Sequence, residues 1–265
     1  MTTYGIGYKG SKNKIAKDII EFLPEGERLV DLFGGGFAIS HCACLSNKWK
    51  RILYNDINPL IVDTIKKAIN GDYNENKFKP EFITREKFFE LKGKDGIMQT
   101  CWSFGNNCKS YLYSSAIEPY KHACHQAIVF NEWEMIRNLC PEIYEAAYKA
   151  LNGTASTRQR RLKFGPAVVK ELKCLNNWQL VQDNPLYKSC HWRGGFNNIN
   201  KSQDLQSLQS LERLERLTNL SELPIANLEC TCNTYKEYKY LDGDIVYCDI
   251  PYESTSGYNY NFDHK

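Results

Sequence analysis

The chain has 265 residues, enough for one large domain or for a domain carrying an insert. Its hydrophobic fraction of 42% and charged fraction of 25% are those of an ordinary soluble globular protein, and a net charge of +3 is too small to name a partner. No apolar run of about 18 residues occurs, so no transmembrane helix is expected, and the start Met1-Thr2-Thr3-Tyr4-Gly5 lacks the charged and apolar regions of a signal peptide.

Eleven cysteines, an odd number, are scattered along the chain. Cys42-Ala43-Cys44, Cys230-Thr231-Cys232 and Cys124 between His122 and His125 match no usual zinc spacing. Reduced thiols in a cytosol are expected, with neither a disulfide framework nor a metal site.

Taken in order, Gly5 to Lys14 is a glycine-bearing loop with three lysines, Lys9, Lys12 and Lys14. Alone it reads as a solvated basic loop. Ile15, Ile19, Ile20 and Leu23 then form a helical apolar stripe, which Pro24-Glu25-Gly26 ends. Arg28 to Phe33 is a strand candidate, Gly34-Gly35-Gly36 a turn, and Phe37 to Leu45 a helix of small and apolar residues. That layout lets backbone approach a ligand closely. It is not G-x-G-x-x-G, and no Lys-Ser/Thr follows, so neither a dinucleotide fingerprint nor a nucleotide phosphate loop is expected. A second strand, Arg51 to Tyr54, ends at Asn55-Asp56-Ile57-Asn58-Pro59, and a helix runs from Leu60 to Ile69. Asp56, twenty residues after Gly36, is placed to bind ribose hydroxyls.

Lys77 to Lys94 is charged and reads as helical. Between Thr100 and Tyr113, Trp102, Phe104, Asn106, Asn107, Lys109, Tyr111 and Tyr113 crowd together. Amides can pair with adenine and aromatic rings can stack or wedge, so this stretch suits a nucleic-acid loop; a buried aromatic cluster is the alternative. Arg158, Arg160 and Arg161 belong to the densest basic run, which suits phosphate contact or a solvated helix face. His191 to Asn198 is another aromatic, glycine and amide loop.

Leucine recurs every third residue at 205, 208, 211, 214, 217, 220 and 223. Steps of three turn by about 300° on an α-helix, so these leucines drift around the axis and form no single stripe on one straight helix. A long 3₁₀-helix would align them, but such runs are uncommon. Asp244 to Cys248 is an apolar strand that delivers Asp249-Ile250-Pro251-Tyr252 at its carboxyl end, where open α/β sheets bind ligands.

Lys9-Gly10-Ser11-Lys12, Asp31 to Gly36, Asn55 to Asn58 and Asp249 to Tyr252 occur in that order. Together they resemble the Dam-type, D12-class DNA adenine-N6 methyltransferases. The resemblance implies an α/β, Rossmann-like, S-adenosylmethionine-dependent methyltransferase core with a mostly helical DNA-recognition insert. The core would comprise residues 1–70 and 230–265, with carboxy-terminal strands missing, and the insert residues 71–229. By the same resemblance Tyr8, Lys12, Asp31, Phe33, Gly34, Gly36, Asp56 and Asp249 would bind the cofactor. Asp249, Ile250, Pro251 and Tyr252 would receive and activate the target base. Lys9, Asn106, Asn107, Lys109, Arg158, Arg160 and Arg161 are the DNA-binding candidates. The implied partner is double-stranded DNA, with no membrane and no metal, the enzyme acting as a monomer in the cytoplasm of a bacterium or phage host, with a restriction nuclease as a conceivable cognate.

Ile250 stands where the family carries the first proline of D-P-P-Y; the backbone carbonyl survives that change. Methylation of cytosine N4 needs the same acceptors and stays open at this point, as does a truncated, non-catalytic DNA- or cofactor-binding homologue. An NAD-type enzyme is disfavoured by the glycine pattern.

Overall fold

The structure is a computed structural model, and it describes residues 3–174 and 208–250. Four strands form one parallel sheet: β1 (Gly26–Asp31), β2 (Trp49–Asn55), β3 (Leu228–Thr231) and β4 (Asp244–Tyr247), in the order β3-β2-β1-β4. Arg28 to Asp31 lie opposite Asp244 to Tyr247 on one side, and β1 also runs beside β2 from Gly26↔Trp49 to Asp31↔Tyr54. The order reverses at β1, so β1 and β4 flank a switch point whose crevice opens at their carboxyl ends.

Both faces of the sheet are apolar, and the side-chain alternation of a strand divides them. Leu29 and Ile52 face a layer built from Ala16 and Ile20 of α1 (Ala16–Phe22) and from Ile39, Cys42, Ala43 and Cys44 of α2 (Ala38–Ser46). Their neighbours Val30 and Leu53 face Leu32, Phe33, Tyr235, Tyr238 and Val246 on the other side. At the amino ends of β1 and β4, Arg28 grips Asp244 with two bonds, Nε to Oδ1 at 2.8 Å and Nη2 to Oδ2 at 2.7 Å. The Arg28 guanidinium beside it holds the Asp244 carboxyl below the usual carboxylate range.

The strands and helices lie close to their expected places. β1 stops at Asp31, so Leu32 and Phe33 belong to the turn rather than the strand. α3 (Pro59–Ile69) starts at Asn58, whose side chain accepts the Leu60 amide while Pro59 occupies the first helical position. The charged stretch from Lys77 is helical only in α4 (Arg85–Leu91), so the longer helix expected there is corrected. Pro80 interrupts it, and the residue before a proline is driven away from helical backbone.

The chain divides into two compact units. The first takes Met1–Lys77, Phe88–Leu112 and Arg213–Lys265 and carries the sheet. The second takes Phe78–Lys87 and Tyr113–Glu212 and is helical among its described residues. Residues 88–112 and 213–229, expected within the insert, therefore pack with the sheet. α5 (Gly96–Thr100) is wedged under α3: a Cβ on Gly96 would lie 2.2 Å from Thr64 Oγ1.

The helical unit contains α6 (Glu118–His125), a π-turn over Gln126–Phe130, α7 (Glu134–Leu139), α8 (Pro141–Leu151) and α9 (Thr157–Cys174). Phe82 stacks on His122 with ring centroids 4.4 Å apart. Arg160 on α9 is buried, and its guanidinium donates to the carbonyls of Ile128, Val129, Thr154 and Ala155.

The leucine repeat takes a form the periodicity alone does not reveal. Gln209–Asn219 is an α-helix, α10, followed at once by a 3₁₀ turn over Leu220–Glu222. Leu211, Leu214 and Leu217 then span about 120° of arc, narrow enough for one buried face. The 3₁₀ turn, with three residues per turn, stops further drift. Leu208, Leu211, Leu214, Leu217, Leu220 and Leu223 are all buried. Leu205 lies outside the described residues, as do the 191–198 loop, Pro251 and Tyr252. Among the described residues no helix is long and apolar enough to cross a membrane.

Candidate active site

The site grows from the carboxyl end of β1. Asp31 is its last residue, is buried, and accepts the Ser40 amide at 3.2 Å and the Ser40 hydroxyl at 2.7 Å from the first turns of α2. Burial lifts its pKa to about 7, against the pull of the Ser40 bonds, and the charges of Asp56 and Asp249 raise it further. Asp31 is thus a half-charged group at neutral pH, poised to become fully charged when a cation comes near.

Asp56, one residue beyond β2, locks the glycine turn. Its Oδ2 accepts the Gly35 amide and its Oδ1 the Asn58 amide, each at 2.8 Å. Each oxygen keeps a lone pair for a further donor. Burial raises the Asp56 pKa, and the two amide bonds pull it down. Gly34 leaves no room for a side chain: a Cβ there would lie 2.3 Å from the Tyr54 ring. A Cβ on Gly36 would lie 2.6 Å from Tyr8 Cβ and 2.9 Å from the Ile6 carbonyl. The close approach of the amino-terminal loop to the turn therefore depends on glycine at both places. The Ile6 amide donates to the Gly36 carbonyl at 2.8 Å, and the Gly5 amide to His41 Nδ1 at 2.9 Å, which holds the loop on α2. Burial lowers the His41 pKa to about 4, so at neutral pH the imidazole is uncharged and able to accept that bond.

Asn55 ties three segments together. Its Nδ2 donates to the carbonyls of Leu32 and Asn233, both at 3.0 Å, and its Oδ1 accepts the Asn233 amide and the Thr231 hydroxyl. This draws Asn233 to Lys236, which follow β3, to the mouth of the pocket. Phe33 and Tyr235 face each other there with centroids 5.9 Å apart. The Leu32 amide donates to the Tyr247 carbonyl, which sets β4 beside the turn. Two residues on, Asp249 Oδ2 forms an ion pair with Lys12 of the amino-terminal loop.

One pocket results, and Tyr8, Lys9, Lys12, Asp31, Phe33, Gly34, Gly36, Asp56 and Asp249 all line it. Ile250 follows as a partly exposed residue, and Pro251 and Tyr252 fall outside the described residues. Asn55, Ile57, Asn233, Thr234, Tyr235, Lys236 and Tyr247 also line the pocket and were not foreseen as site residues. Asn55 and Ile57 flank Asp56 inside a motif already singled out. For Asn233 to Lys236 no local signal exists, because the pairing of β3 with β2 brings them there.

The other candidates lie elsewhere. Asn106 Nδ2 donates to the Thr100 carbonyl at 2.7 Å, and Asn107 Oδ1 accepts the Lys109 amide at 2.8 Å, so both amides brace their own loop. Lys109 is exposed. Trp102, Tyr111 and Tyr113 are buried and only Phe104 of this aromatic group is exposed, which corrects the expectation of a ring-bearing contact loop in favour of a buried cluster. Arg160 is also corrected: its guanidinium is consumed by buried carbonyls, whose desolvation it offsets, and it presents no surface charge for a phosphate. Arg158 is exposed and Arg161 half-buried, in the helical unit.

No group of acids, cysteines and histidines among the described residues is arranged to hold a metal. The model of the D12 class N6 adenine-specific DNA methyltransferases matches residues 8–164, more than half of the chain, including the amino-terminal loop, the glycine turn and Asp56. On that match, and on a parallel sheet whose crevice gathers the motifs at one pocket, the chain belongs to the D12 class of N6 adenine-specific DNA methyltransferases.

Proposed function

We propose that the methyl donor is S-adenosylmethionine and that the acceptor is the N6 amine of an adenine swung out of duplex DNA at a short recognition sequence. What carries this reading is the presence of Asp249 on the same pocket wall system as Asp31, Gly34 and Asp56. The residues present fit such a donor. The spare lone pairs of Asp56 suit a ribose diol, Asp31 suits a nearby cation, and Phe33, Ile57 and Tyr235 offer apolar surface to a purine. When bound, the donor supplies an electrophilic methyl group on a positively charged sulfur.

The chain does the rest. An adenine amine is a weak nucleophile because its lone pair is delocalised into the ring, and inside a duplex it is out of reach, so the base is extruded. Asp249 Oδ2 is held by Lys12, which leaves Oδ1 to accept one N6–H bond. The Ile250 carbonyl accepts the other. Two fixed acceptors return the lone pair to nitrogen, stabilise the positive charge that develops there, and aim it. Asp249 then takes the surplus proton. We propose, as part of the same reading, that the enzyme works as a monomer.

The test is direct. DNA incubated with the purified chain and S-adenosylmethionine is digested to nucleosides. N6-methyl-2′-deoxyadenosine that disappears with Asp249→Asn supports the reading; N4-methyl-2′-deoxycytidine, or methylation indifferent to Asp249, sinks it.

A further inference from the structure

We propose that a second pocket, beside the first, holds the DNA backbone phosphate that flanks the extruded adenosine. Tyr8, Ser11 and Lys12 line both pockets, and Lys14, Asn106 and Arg216 complete the second. The two differ in charge. Asp31, Asp56 and Asp249 line the first together with Lys9, Lys12 and Lys236, whereas three cationic side chains and no carboxylate line the second. The second, whose charged side chains are all cationic, suits an anion.

Three distant stretches of chain build this pocket, which separates it from a run of solvated lysines. Arg216 comes from α10, Asn106 from the loop after α5, and Lys14 from the amino-terminal loop. Arg213, one turn before Arg216 on the same helix, donates to the Ser103 carbonyl at 2.8 Å and so ties that helix to the Asn106 loop. The bond from Asn106 to Thr100 steadies the loop from within. Lys12 is committed to Asp249. Lys14 and Arg216, which both line the pocket, take the phosphate, the planar fork of Arg216 matching two of its oxygens. Lys12 lines both pockets and pairs with Asp249, so the second pocket lies beside the place proposed for the base. This assignment rests on the function proposed above.

The full-length chain and a duplex carrying its mapped methylation site provide the test. Arg216→Gln is expected to weaken duplex binding by roughly 5- to 30-fold and to lower the slope of log affinity against log salt by about 1, with Lys14→Gln acting in the same direction. Affinity for S-adenosylmethionine, followed by calorimetry, stays at the wild-type value and reports an intact fold. A neutral methylphosphonate beside the target adenosine weakens binding by the wild type and adds little to Arg216→Gln. Should Arg216→Gln not fold, Lys14→Glu and Arg216→Lys serve the same comparison, the second losing the fork but keeping the charge.

The phosphate site is overturned by variants that bind donor normally yet keep wild-type DNA affinity and salt slope, or that lose donor affinity instead. It is also overturned if inorganic phosphate, at matched ionic strength, binds through Arg216 while the methylphosphonate has no effect, since the site would then serve a free anion. A wild type that methylates adenine alongside such results leaves the parent reading standing. A wild type that methylates no adenine removes the parent reading and this one together.

Discussion

At the scale of single residues, Asp249 and Asp31 are two carboxylates in one pocket with different tasks. Asp249 is half-buried and ion-paired, and is the acceptor proposed to face the base. Asp249→Asn keeps the shape but replaces one acceptor with a donor. We expect methyl transfer to fall by about 100-fold or more, with donor affinity within a few-fold of wild type, as single-turnover kinetics and calorimetry can establish. Asp31 is the titrating group. Its folded pKa of about 7 lies above the ordinary carboxylate value, so the proton favours the folded state. That contribution is present in acid and is lost as pH rises through about 7. Relative to Asp31→Asn, the wild type should lose about 2–3 kcal/mol of stability between pH 5 and pH 8, visible in urea midpoints at the two pH values. Binding of a cationic donor runs the other way: it tightens as pH rises through 7, because the ionised carboxylate is the form that attracts it.

At the scale of elements, the helices that looked least informative are the ones whose geometry is most constrained. α10 buries Leu217 completely. Leu217→Ala should cost about 2–5 kcal/mol, read as a shift in the denaturant midpoint, whereas an exposed position such as Asn219→Ala should change stability by less than about 0.5 kcal/mol. The rotation argument against a single stripe holds for a long straight helix; an eleven-residue helix closed by a 3₁₀ turn never rotates far enough to violate it. On α9, Arg160 and Arg158 are two residues apart and take opposite roles. Arg160→Ala should destabilise the helical unit by about 2–4 kcal/mol by stranding buried carbonyls. The folded variant should retain the wild-type salt slope of DNA binding, because the lost charge never faced solvent.

For the whole molecule, the division into a sheet-bearing unit and a helical unit has a thermodynamic consequence. The described residues that line the pocket proposed for the donor all belong to the sheet-bearing unit. Saturating S-adenosylmethionine at about 100 times its dissociation constant should therefore stabilise that unit by about 2.7 kcal/mol. In scanning calorimetry one transition should move upward and the other should stay, unless the two units melt as one cooperative block, in which case a single peak moves.

What the amino-acid order determined by itself was the set of short-range devices. The strand beginning at Arg28, the glycine turn at 34–36, the strand ending before Asp56 and the one ending before Asp249 were all legible, because each acts through its own backbone conformation or its immediate neighbours. Only tertiary structure decided which cations reach a surface, which aromatic rings are buried, and which distant segments share a wall. Arg160 and Arg158 look alike in a string of basic residues, and nothing local reveals that one is ringed by carbonyls from 128–129 and 154–155. Asn233 to Lys236 enter the pocket through strand pairing with a partner some 175 residues earlier, since Asn233 bonds to Asn55 across that separation. The physical reason is the same in each instance: burial and long-range hydrogen bonding depend on what packs against a side chain, and a linear pattern specifies a residue's neighbours along the chain but not across it.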